Sequence, residues 1–80
     1  MERTKVRMVR SLCAQLEVTL QSIAALREAK EREYRGLSLV RKLTKQGDDL
    51  TDLIYELEAA HYWMSESRKA LLTYAEAEAE

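Results

Sequence analysis

From Val9 to Val40 apolar side chains recur at intervals of three and four residues, with one polar interruption at Lys30 and Glu33 and no proline, and that rhythm admits little besides helix. With Val9 at position a of a heptad, the a positions read Val9, Leu16, Ile23, Lys30, Leu37 and Thr44, and the d positions Leu12, Thr19, Leu26, Glu33 and Val40. Cys13, Leu20 and Tyr34 widen the stripe at e. A second stretch repeats the pattern, with Leu50, Leu57, Met64 and Leu71 at a, Leu53, Ala60 and Tyr74 at d, and Ile54 and His61 at e. Pairs such as Glu28/Arg32 and Glu31/Arg35 lie four residues apart and support helix on the wet side. A chain rich in Leu, Ala, Glu, Lys and Arg, with two glycines and no proline, has the composition of long helices or coiled coils.

Between the stretches, Gly47-Asp48-Asp49 combines a residue that can end a helix in the left-handed conformation with aspartates that can cap the next one. The expected fold is therefore all-α: an antiparallel, coiled-coil-like helical hairpin with a long helix over about residues 4–46 and a second over about 49–74. A break at Gly36 is the alternative, because an interior glycine costs about 1 kcal/mol in a helix. Residues 1–74 form one domain in this reading. The acidic Ala/Glu tail, residues 75–80, should fray, since it puts negative charge at the wrong end of the helix dipole.

A turn near Gly47 would bring Leu37 opposite Leu57, Glu33 opposite His61 and Ile23 opposite Leu71. Everything before about Leu20 would then overhang, carrying Val6, Val9, Leu12, Cys13 and Leu16 on one side. An apolar stripe of that length is not left in water. It is expected to be a dimer or partner interface, and a homodimer closing into a helical bundle is favoured, because 80 residues bury only about 60% of their unfolded surface. The charge distribution points the same way. Residues 1–45 carry 11 Lys/Arg against 5 Asp/Glu and residues 46–80 carry 2 against 9, so the halves are electrostatic opposites that favour antiparallel pairing.

Tyr55 and Tyr62 fall at f, on the side of the second helix turned away from the first, with Trp63 beside them at g. Aromatics with one polar edge are favoured in interfaces, so these three are the expected partner-binding residues; the plainer reading is that they shield a dimer's second layer. Lys30, Glu33 and His61 interrupt the stripe with polar groups and are expected to fix its registry, as a buried polar residue does in coiled coils.

Chemistry is sparse. Glu58-x-x-His61 has the spacing used by di-iron bundles, but Glu58 stands at b beside the stripe and there is one histidine per chain, so no metal is expected. Cys13 lies on the apolar side with no histidine near it and reads as a small core residue rather than a reactive thiol. No glycine-rich phosphate loop or nucleophile elbow is present, so neither catalysis nor a cofactor is expected. Arg3, Lys5, Arg7 and Arg10 are the only argument for nucleic acid, and they spread around a helix instead of forming one strip.

The longest uncharged run, Val18 to Leu26, is far short of the roughly 20 apolar residues of a membrane span. The basic start leads into no apolar signal core, and a single cysteine suits a reducing compartment, so a cytoplasmic location is expected. The layout, a basic amphipathic helix, a turn and a second helix, resembles the helical-hairpin co-chaperones of type III secretion and small phage-encoded proteins that inhibit a host complex. It implies a non-enzymatic module, a small chaperone, adaptor or inhibitor that binds a partner protein through exposed helix faces. A phage-type inhibitor, or a nucleic-acid-binding regulator using the basic N-terminal helix, is the alternative.

Overall fold

The computed structural model of the chain describes residues 2–79. Met1 and Glu80, the outer ends of the ranges expected for the hairpin and its tail, lie outside the described residues. Three helices follow in order: α1 (Glu2–Arg35), α2 (Leu39–Lys42) and α3 (Lys45–Ala79). The long helices α1 and α3 pack against each other as a hairpin measuring 59 × 14 × 14 Å, and α2 forms the bend.

The bend is not at Gly47. Helix α1 ends at Gly36, whose amide still donates to Arg32 O (3.0 Å), and Leu37 N then closes a tighter turn on Tyr34 O (3.0 Å). Ser38 leaves helical geometry (φ −64°, ψ 160°) and caps α2, its hydroxyl accepting from Arg41 N at 3.2 Å. That cap makes the Gly36 break, the less favoured alternative in the sequence, the observed one. The last amides of α2 fold back over three residues, Leu43 N to Val40 O and Thr44 N to Arg41 O (both 3.1 Å), and α3 starts at once. Gly47 sits inside the first turns of α3 and is buried. A Cβ built on it would stand 2.6 Å from the Lys42 carbonyl carbon and 2.7 Å from Lys42 Cα. Glycine is needed here for close approach of two backbones, not for a left-handed turn; among the described residues no glycine has a positive φ. Asp48 lies in the first turn of α3, where the dipole favours it. Asp49 holds Lys45 Nζ at 2.8 Å and raises its pKa above the ordinary lysine value, first by the hydrogen bond and then by charge. On the alkaline side this tie is present at neutral pH and is lost as pH rises through the raised folded-state value of Lys45.

Moving the bend changes the registry. Cys13 lies against Arg68, and Arg27 reaches Glu58, so residues meet about nine to thirteen positions earlier in α3 than a turn at Gly47 requires. The same registry sets Ala75 opposite Val6. The expected overhang is gone: Val6 (8% exposed) and Cys13 (2%) belong to the core of the hairpin itself, and Val9 and Leu16 are half-buried beside them. Nor does the structure separate residues 75–79 as a tail. They continue α3, and Ala75 is 1% exposed, so packing at the open end offsets the few tenths of a kcal/mol that terminal negative charge costs.

The seam also lies one column over from the a/d stripe. Residues facing the partner helix are those at a together with those at e: Val6, Cys13, Leu20, Arg27 and Tyr34 on α1, and Gly47, Ile54, His61, Arg68 and Ala75 on α3. The d residues Leu12, Leu26, Leu53 and Tyr74 flank it, 38–45% exposed. Small side chains at e (Cys13, Gly47, Ala75) let the helices close on that column, whereas Thr19 and Glu33 break the d column.

Candidate protein-docking surfaces

Among the described residues, side-chain polar contacts between the long helices lie on one edge of the seam. Arg68, at e, donates from Nε to Cys13 O (3.2 Å) and from Nη2 to Glu17 (3.1 Å). Arg27, also at e, approaches Glu58 (3.8 Å) and Glu31 (3.7 Å), though its buried Nε makes no hydrogen bond. Glu17 and Glu58 both occupy b. The two pairs are thus related by an approximate two-fold through the middle of the hairpin, and they mark the b/e edge as its charged side. The Cys13 thiol adds a weak contact to Arg68 O at 3.9 Å.

The opposite edge carries the d and g columns. In an antiparallel helix pair, like heptad positions of both helices lie on the same side, so Leu12 and Leu26 share a face with Leu53, Trp63 and Tyr74. Of the stripe expected to form an interface, Leu12 alone is exposed and belongs to this face; Val6, Val9, Cys13 and Leu16 are claimed by α3.

Tyr55, Tyr62 and Trp63 stand on α3 away from α1, 56–68% exposed, and Tyr62 meets Trp63 edge to face with ring centroids 5.2 Å apart. That pairing restricts both rings before anything binds, which lowers the ordering cost of an interface built on them.

A third surface is hidden in the sequence. At the bend Leu39, Val40 and Leu43 are 73–80% exposed on and beside α2, which buries none of its residues. The heptad pattern places Val40 in the core instead. The legible signal is Ser38 two residues after Gly36, which makes the next four residues a separate helix too short to turn an apolar side inward. Lys42 folds back over the Tyr34 ring (5.2 Å), fastening α2 to the end of α1.

The polar trio does not assemble. Lys30 Nζ bonds Glu33 at 3.0 Å along α1, while His61 is half-buried farther along the seam, opposite the Leu20–Ile23 turn. The residues of α3 facing Glu33 are about nine positions from His61, some 13 Å along the helix, so the three cannot fix registry together. Among the described residues Arg68 and Arg27 are the cross-helix polar ties, and the sequence pattern conceals them because it puts e at the margin of the stripe. Among the described residues no three of His, Cys, Asp or Glu gather into a metal-sized group, and no helix is long and apolar enough to cross a membrane. Arg3, Lys5, Arg7 and Arg10 are all exposed near the open end.

Compared with protein-family models, curated proteins and solved structures, the chain matches none of them.

Proposed function

We propose that the chain is a non-enzymatic protein-protein interaction module, a homodimeric helical hairpin of the cytoplasm that serves as a small chaperone, adaptor or inhibitor by holding a partner protein on exposed helix faces. The observation that carries this reading is the Tyr55/Tyr62/Trp63 patch, three large amphipathic rings on a surface the hairpin has no use for. The hydroxyls support it from the other direction. Thr19, Ser22, Thr51 and Thr73 donate to carbonyls of their own helix four residues back, so these hydroxyls are engaged by the backbone. A partner helix laid along α3 would meet Tyr55 and the adjacent Tyr62 and Trp63 two turns apart.

Replacing Tyr55 and Tyr62 with alanine tests it. Neither ring contributes to the core, so the melting temperature should stay within about 3 °C of wild type, while capture of a protein partner from the source cell should fall at least tenfold. Undiminished capture by the double variant would sink the aromatic patch as the docking surface.

A further inference from the structure

The d/g edge has the composition of an interface. From Met8 to Ala29 on α1, and from Ala60 to Ala77 on α3, no d or g position carries a charge. The b/e edge of the same helices holds Glu17, Arg27, Glu58 and Arg68 in ion pairs. Depletion of charge with retention of Met, Trp and Tyr distinguishes the centre of a protein interface from ordinary surface.

The area identifies the occupant. The chain exposes 6195 Å², whereas a compact monomer of its 9.3 kDa exposes about 5000 Å². The surplus, about 1200 Å² per chain, is what one helical layer leaves bare when it lacks the second layer that folded domains require. Two chains covering that surplus on each other would bury about 2400 Å² in all, within the range of obligate homodimers. The surface is also suited to itself. Small residues (Thr19, Ser22, Ala70) alternate with large ones (Leu12, Leu26, Tyr74), and the hairpin's own approximate two-fold makes a self-complementary contact geometrically natural.

We propose that the d/g edge binds a second copy of the chain, closing a four-helix bundle in which Leu12, Leu26, Leu53 and Tyr74 become core. This deepens the dimeric part of the function proposed above and rests on it. Tyr55 and Tyr62, at f, stay on the outside of the bundle for a partner protein. Trp63, at g, lies on the border and reports on assembly as the chain's one tryptophan.

The test is sedimentation equilibrium from 1 to 100 µM of the full chain and three single variants that leave the seam untouched, with Trp63 emission recorded alongside. Ser22→Glu and Ala70→Glu each put a charge into the d/g edge; Ala25→Glu puts the same charge at c, on the outer side of α1. The expected result is a wild-type dimer, an unchanged Ala25→Glu dimer, and Ser22→Glu and Ala70→Glu dimers weakened at least 100-fold, with Trp63 emission moved to longer wavelength. A wild-type dimer that both d/g variants leave intact would overturn this face while preserving the dimeric reading. A wild-type chain that sediments as a monomer at 100 µM would overturn both.

Discussion

Gly47→Ala is expected to destabilise the hairpin by about 2–3 kcal/mol, although alanine is the better helix former and the site lies inside a helix. The new Cβ would enter the Lys42 backbone, and backbone cannot rotate aside as a side chain can, so either α2 lifts off α3 or the first turn of α3 unwinds. For a domain of this size the loss lowers the melting temperature by about 10–20 °C, measured by circular dichroism. Gly36→Ala is the internal control. A Cβ there meets only Arg32 and Glu33 carbonyl oxygens at 3.5 Å, ordinary contact, and its φ is compatible with alanine, so that variant should be unchanged or up to about 1 kcal/mol more stable. Equal behaviour of the two variants would contradict this bend.

The second large effect is expected at Leu50. It is the buried large aliphatic of α3, 7% exposed, one turn after Gly47. Truncation to alanine leaves a cavity in place of a buried side chain, at a cost of about 2–4 kcal/mol. Leu43→Ala, at the exposed bend, should change stability by less than about 0.5 kcal/mol. Urea denaturation of both variants reads the difference. A Leu50 variant as stable as the Leu43 variant would mean that the a column does not form the core.

The period of the apolar residues carries the architecture well: two long helices, antiparallel, with the a column inward and Tyr55, Tyr62 and Trp63 outward. It misplaces the bend because local conformation is a poor guide to these two glycines. Gly36, with no αL geometry, ends its helix through the Ser38 cap that follows, while Gly47 is required by a contact with Lys42, which no local signal reports. The bend position then propagates. Shifting it exposes the α2 tip, extends α3 over the expected overhang and removes the Val6–Leu16 stripe as a surface. The choice of seam column is closer to legible. Val6, Cys13, Leu20 and Tyr34 form a less interrupted line than Leu12, Thr19, Leu26 and Glu33, and the small residues that permit close packing lie at e on both helices. The arginines at e hide that column, because a guanidinium reads as solvent-facing until its carboxylate and carbonyl partners on the other helix are known.

All of these surfaces depend on one registry, and the chain's single cysteine can report it. The Cys13 thiol lies against Arg68 O, the carbonyl that begins the helical turn ending at Leu72. Leu72→Cys keeps the Arg68 contacts and places a second thiol on that turn; Lys69→Cys places one on the outer side of α3 as the control. Under mild oxidation at low micromolar concentration, the expected product of the Leu72→Cys chain is an intrachain disulfide between Cys13 and the introduced thiol, seen as a loss of two hydrogen masses with no free thiol, and none is expected for Lys69→Cys. Two free thiols in the Leu72→Cys chain, or disulfides formed only between chains, would contradict the registry and with it the faces on which the proposed function rests.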